Sequence, residues 1–188
     1  MTGKFILVVG PSGSGKGTLI GHVRPLFPEL IYPKSCTTRP QRGGESDDRY
    51  IFLSTEEFKA RIDRGEFLEW AEYGGNLYGT LRSEIAPALE NGKVALKELE
   101  VQGARQVREK LPKKELIIIF VNAGSWEDME ARIRARAPMP EEELERRKLR
   151  YADEMHFMPE ADFVVANPLG KVEEAKKEFE DIIRSLVS

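Results

Sequence analysis

At 188 residues and 21.3 kDa the chain is long enough to bury one compact core, with room for small inserted lobes. Its 29 Lys and Arg against 32 Asp and Glu leave a formal net charge of -3. That balance excludes a protein that coats nucleic acid by bulk charge, which needs many cations to displace counterions from phosphates. A single cysteine, Cys36, excludes a disulfide scaffold and a Cys-based zinc cluster, and two histidines, His22 and His156, make no His-rich metal site. No apolar run approaches the roughly 18 residues of a membrane span, so the expectation is a cytoplasmic protein that does not engage a membrane.

Phe5 to Val9 is apolar and rich in β-branched residues, too short for a helix, and bounded by Gly10 and Pro11, as a doubly buried strand should be. From Lys16 the positions Leu19, Ile20, Val23, Leu26 and Phe27 have helical spacing, limited by Pro25 and Pro28. Further strands are expected at Val94 to Leu99, Leu116 to Val121 and Phe163 to Ala166, with helices at 101–110, 126–136, 141–155 and 172–186. This alternation implies an α/β fold with a parallel sheet and helices on both faces.

Two segments break the alternation. Ser35 to Leu89 is richer in charge, glycine and aromatics, with a strand at Arg49 to Leu53, a helix at Thr55 to Asp63 begun by Ser54 or Thr55, and an extended Phe67 to Tyr73 before Gly-Gly-Asn. It reads as a small inserted lobe with its own hairpin. Arg132 to Arg150 holds six arginines around Pro138 and Pro140, which interrupt the helical pattern and suggest an exposed loop.

The sharpest chemical signal is Gly10-Pro11-Ser12-Gly13-Ser14-Gly15-Lys16-Gly17-Thr18 between strand and helix. Glycines let backbone N–H groups converge on phosphate oxygens, the helix start adds partial positive charge, and Lys16 reaches the β and γ phosphates. The strict pattern has Ser or Thr directly after the lysine to help hold Mg²⁺; here Gly17 stands there and Thr18 follows. A second cluster, Ser35-Cys36-Thr37-Thr38-Arg39 through Arg42, Gly44, Glu45 and Tyr50, sets two arginines three residues apart. Such guanidinium forks suit a terminal phosphate, with the Tyr50 and Tyr78 hydroxyls as further donors; the bland alternative is a solvated loop in which the arginines pair with Glu45, Asp47 or Asp48.

Together with Phe67-Leu68-Glu69-Trp70-Ala71, Gly75-Asn76-Leu77-Tyr78-Gly79-Thr80 and Glu98-Leu99-Glu100-Val101-Gln102-Gly103, these blocks make a chain that resembles the guanylate kinases over nearly its whole length. The resemblance implies a three-layer α/β/α P-loop core (1–34, 90–125 and 156–188), a GMP-binding lobe (35–89) and a helical lid (126–155). It implies ATP-dependent phosphorylation of GMP, and of dGMP, by direct in-line transfer with Mg²⁺. By position, Pro11 to Thr18 look like the ATP cradle and Ser35, Glu69, Thr80 and Glu100 like the guanine readers. Arg39, Arg42, Tyr50 and Tyr78 look like the GMP phosphate clamp, and Glu45 either braces the arginines or contacts the nucleotide. Lys16, Arg39, Arg42, Arg132, Arg136 and Arg147 look like the groups that neutralise charge on the transferring phosphoryl, with Thr18 and Glu98 on the metal's side.

The chain departs from the family pattern at Ala137, where glycine is usual, in a Glu45 to Tyr50 segment one residue shorter, and at Glu98 and Glu100, where aspartates are common. A related P-loop kinase of a phosphorylated sugar such as ribose 1,5-bisphosphate, or a non-catalytic module of guanylate-kinase type, are the alternatives. Phe52, Phe58, Phe67 and Trp70 are expected in the lobe's core, Trp126 in packing, and Cys36 as a buried thiol.

Overall fold

The apolar run that opens the chain becomes β1 (Lys4–Val9), whose last five side chains are wholly buried. The protein is described by a computed structural model covering residues 3–44, 48–136 and 139–187, without the Arg136 side chain. β1 lies inside a four-stranded sheet, between β6 (Val94–Glu98) and β7 (Leu116–Asn122), with β8 (Phe163–Ala166) at the far edge. β7 and β8 run parallel, Ile119 opposite Phe163 through Asn122 opposite Ala166.

A second sheet has the order β3-β2-β5-β4, from β2 (Ser35–Thr37), β3 (Tyr50–Phe52), β4 (Phe67–Tyr73) and β5 (Asn76–Leu81). The helices are α1 (Lys16–Val23), α2 (Thr55–Asp63), α3 (Arg82–Glu90), α4 (Val101–Lys110), α5 (Trp126–Arg136), α6 (Glu141–Phe157) and α7 (Val172–Val187). None among the described residues is long and apolar enough to cross a membrane.

The chain groups into two compact units: Met1–Ile6, Glu29–Lys97 and Gln102–Leu116 in one, and Leu7–Pro28, Glu98–Val101 and Ile117–Ser188 in the other. In the first, the core side of the second sheet gathers Cys36, Phe58, Phe67, Leu77 and Leu81, with Phe58 and Phe67 stacked at 4.3 Å. α2 starts where Ser54 accepts from the Glu57 amide at 3.1 Å, a side-chain cap that satisfies one orphan N–H. In the second, α7 buries Ala175, Phe179 and Ile183 at helical spacing and packs along α1, where the His22 ring meets Glu180 at 3.0 Å. Trp126 packs edge-on against Tyr151 beside a small cluster of Ala123, Met129, Ile133 and Leu144.

Several expectations need correction. α1 stops at Val23, not Phe27; Leu26 is exposed while Phe27 is buried beneath the Arg184 guanidinium. β2 and α3 were not expected: β2 is three residues long, and α3 carries Pro87 within it, a residue that reads as a helix breaker. Trp70 is exposed, and Phe52 is half-buried with its ring against Tyr50 at 5.9 Å, outside the core cluster. The helices expected at 126–136 and 141–155 are α5 and α6, with α6 running on to Phe157, and Met139 and Pro140 between them are non-helical; Ala137 and Pro138 lie outside the described residues.

Candidate functional site

The glycine loop leaves β1 with Gly10, Gly13 and Gly15 all at positive φ. Gly15, at φ 96°, caps α1, and a Cβ there would lie 2.4 Å from the Asn167 amide nitrogen, so no larger residue fits. The first turn of α1 has neither an acidic residue nor a side-chain cap, which leaves its N–H groups open to an anion. Lys16, 6% exposed, donates to the carbonyls of Gly10 at 2.7 Å and Pro11 at 3.1 Å, with the Glu98 carboxylate 3.7 Å away.

Two of the expected lid arginines reach this loop. Arg132 donates to the carbonyls of Asn167 at 2.6 Å and Ser14 at 3.4 Å, and Arg147 to the Ser12 hydroxyl at 3.3 Å. The Arg136 side chain lies outside the described residues. Asn167 escaped the sequence reading: it is 2% exposed and donates to the Ser14 carbonyl at 2.7 Å, while its Oδ1 and the buried Ser14 Oγ have no hydrogen-bond partner among the described residues. A lone asparagine after a strand gives no sequence signal of that contact. Glu154 on α6 escaped too: burial pushes its carboxyl up to about 7, against the pull of Lys16 and with the help of the Glu100 charge.

On the second sheet, strand register sorts the residues by face. Ser35 pairs with Tyr50, Thr37 with Phe52 and with Tyr78, Ala71 with Tyr78 and Glu69 with Thr80, so these side chains share one face. Cys36 lies on the other, among the core residues, and burial pushes its thiol up to about 11. The Arg39 guanidinium sits over the rings of Tyr50 at 5.4 Å and Phe52 at 5.6 Å, and Tyr50 lies edge-on to Tyr78 at 6.5 Å. Arg42 is exposed on the segment before β3, and Glu45 lies outside the described residues.

Glu69 reaches this face only because β4 has a register shift between Phe67 and Glu69. In a regular strand those two would point the same way; the bulge sends Phe67 to the core and Glu69 beside Thr80. Its carboxylate is 5% exposed, accepts a hydrogen bond from the Thr80 hydroxyl, and lies 3.0 Å from where a Cβ on Gly103 would stand. Burial raises its pKa, while Thr80, Lys97 and Lys110 oppose the rise. Lys97, 7% exposed, donates to the Pro33 carbonyl at 2.9 Å; burial pushes it down to about 8 despite Glu69 and Glu84. A lysine within the apolar run of β6 was the available, unread signal. Glu100 is exposed just before α4.

Among the described residues no group of three His, Cys, Asp or Glu is gathered to hold a metal by itself. Glu98 beside Lys16, and Thr18 exposed in the first turn of α1, offer oxygens next to the loop. That set fits a hard divalent cation that keeps most of its water and arrives on phosphates.

A strand, glycine loop and helix of this geometry, with a buried lysine and arginines at the loop, define a P-loop nucleotide kinase. The family model described as guanylate kinase matches residues 2–186, and the chain belongs to the guanylate kinase family. It is 44% identical to the guanylate kinase of Rubrobacter xylanophilus, over 99% of this chain and 96% of that one. With the guanylate kinase of Prochlorococcus marinus subsp. pastoris it shares 43%, over 97% of each. The crystal structure of guanylate kinase from Anaplasma phagocytophilum superposes with a TM-score of 0.73 at 26% identity, covering 99% of this chain and 87% of that one. Nothing found favours a sugar-phosphate kinase or a non-catalytic module.

Proposed function

We propose that the protein transfers the γ-phosphoryl group of ATP to GMP, and to dGMP, giving ADP and the nucleoside diphosphate, with Mg²⁺ as the divalent ion. The observation that carries this reading is the buried Glu69 carboxylate held by Thr80 on the face that also presents Ser35, Tyr50 and Tyr78. A carboxylate accepts from both guanine N1–H and the 2-amino group; adenine has an acceptor at N1 and no 2-amino donor. AMP would leave a buried carboxylate unpaired, and that penalty is the source of discrimination.

In this reading residues 35–89 form the GMP lobe, 126–155 the lid, and the remainder the core. Arg39, backed by Tyr50 and Phe52, and Arg42 grip the GMP phosphate with the Tyr50 and Tyr78 hydroxyls. Ser35 and Glu100 complete base recognition, and Glu45, outside the described residues, either braces the arginines or contacts the nucleotide. The amides from Ser12 to Thr18 and the start of α1 bind the ATP phosphates, and Lys16 exchanges its bonds to the loop carbonyls for phosphate oxygens. Arg132, Arg136 and Arg147 supply positive charge from the lid.

Thr18 and Glu98 would hold Mg²⁺ through its water shell, and the bound ion supplies charge neutralisation on the phosphate oxygens. The chain's own work is positioning and exclusion of water, without a covalent intermediate. A cytoplasmic location, and ATP and GMP as small-molecule partners with no nucleic acid or membrane, belong to the same proposal.

The test is ADP release with MgATP and each of GMP, dGMP, AMP, UMP and ribose 1,5-bisphosphate. Turnover with GMP and dGMP and little with AMP is expected. Turnover with the sugar phosphate instead, or none with GMP, overturns the reading. In Glu69→Gln the kcat/KM for GMP should fall about a hundredfold, as a lost charged hydrogen-bond pair demands.

A further inference from the structure

The bulge that aims Glu69 leaves peptide groups that no strand satisfies, because β4 is the outer strand of its sheet. α4 satisfies them. The Lys110 ammonium donates to the Leu68 carbonyl at 2.7 Å and the Phe67 carbonyl at 3.4 Å. The Gln106 amide takes both polar groups of Trp70, accepting from its N–H at 3.2 Å and donating to its carbonyl at 2.8 Å. Leu68 C=O and Trp70 N–H belong to the two peptide units that flank Glu69. Both are therefore held by side chains of a helix rather than by a neighbouring strand.

Gly103, Gln106 and Lys110 stand at i, i+3 and i+7 of α4, one face of the helix. Gly103 backs Glu69 Oε2 closely enough that even a methyl group would press on it. One helix face thus fixes the carboxylate from behind and its backbone from both sides. Gln106 in effect replaces the missing edge strand, with one acceptor and one donor in the right order.

We propose that Gln106 and Lys110 are positioning residues for base recognition, so that the preference for guanine is set from α4 as well as by Glu69 itself. This rests on the reading of Glu69 as the guanine-binding carboxylate. The two bonds to N1–H and the 2-amino group form together only if the carboxylate plane is held. A Glu69 released from α4 keeps its chemistry and loses its angle. The loss should fall on the second bond most, and therefore on the distinction between GMP and inosine monophosphate, whose base has the N1–H but lacks the 2-amino group.

The experiment measures kcat and KM for GMP and for inosine monophosphate, and KM for MgATP, in the full-length protein and in Lys110→Met, Lys110→Arg, Gln106→Met and Glu69→Gln, with melting temperatures for each. Lys110→Met and Gln106→Met should each raise KM for GMP about tenfold, the order expected for a lost charged or paired hydrogen bond. They should shrink the GMP over inosine monophosphate ratio in kcat/KM and leave KM for MgATP and saturated kcat within twofold. Lys110→Arg, which keeps the charge and the donors, should restore the ratio.

If both methionine variants lower the melting temperature and keep the wild-type ratio, Gln106 and Lys110 hold the fold alone and the proposal is overturned. Should one methionine variant fail to fold, Gln106→Glu, which keeps the acceptor for Trp70 N–H and loses the donor, is judged by the same ratio. If Glu69→Gln itself keeps the wild-type ratio, the reading of Glu69 fails, a different outcome from a ratio that collapses in Glu69→Gln and survives in the α4 variants.

Discussion

Between Gly10 and Thr18, nine consecutive residues bring together backbone N–H groups, a lysine and a helix start; Ser35, Tyr50, Glu69, Tyr78 and Thr80 come to one face from four different strands. In the first region the recognising groups are mainly backbone, and sequence spacing alone places them. In the second they are side chains whose direction depends on register, on one bulge and on a helix that braces the strand edge. On the proposed reading, an anion site is written locally, while a base-reading site needs tertiary structure to aim it.

The largest effect that sharpens this contrast is Lys16→Ala. It removes a buried ammonium held by two loop carbonyls and facing Glu98. A kcat lower by about 10²–10³ is expected, the usual scale for deleting one preorganised charge donor, with KM for GMP little changed. Equal rises in both substrate KM values would break the separation of the two regions.

Asn167→Ala comes next. The change deletes the donor to the Ser14 carbonyl and opens space against Gly15, leaving a buried carbonyl short of a partner. KM for MgATP should rise about tenfold, in line with one lost buried hydrogen bond, without effect on the GMP over AMP ratio. That outcome would show the loop to be less self-contained than its spacing implies.

Gly103→Ala probes the other region. Alanine is the better helix former by about 0.8–1.0 kcal/mol, so α4 should hold or gain stability. The new methyl would stand 3.0 Å from Glu69 Oε2, and the carboxylate must shift by a few tenths of an ångström. KM for GMP should rise about fivefold while the melting temperature holds, since misplacement of a contact group is felt steeply in recognition. An unchanged KM would mean that the carboxylate tolerates movement.

These two regions were not equally legible. The phosphate loop, the Ser54 cap of α2, the hairpin strand from Phe67 and the central run of β7 follow from glycines, a capping serine and apolar periodicity, all local signals. Glu69 could be named through the family motif, but nothing in Phe67-Leu68-Glu69 announces the register shift that puts Phe67 and Glu69 on opposite faces. α3 was missed because Pro87 reads as a breaker although it sits in a nine-residue helix. Gln106 and Lys110 look like ordinary polar positions of an amphipathic helix, and Asn167 like a loop residue. Their roles exist only in contacts between segments far apart in sequence.

The smallest expected effect concerns Glu154, which belongs with the loop in space and with α6 in sequence. Burial raises its carboxyl from 4.5 to about 7, Lys16 and Arg150 pull it down, and Glu100 and Asp153 push it up. In the window between those two values the folded state holds the proton more tightly than the unfolded chain, so stability falls as pH rises. The contribution is full below about 4.5 and lost through about 7. Glu154→Gln stays uncharged throughout and removes that fall. Its melting temperature should match the wild type near the acid end and rise progressively above it as pH passes through that window to 8. A difference that is the same at both ends would mean that Glu154 keeps its charge in the folded protein, and that the field around Lys16 outweighs burial beside the loop.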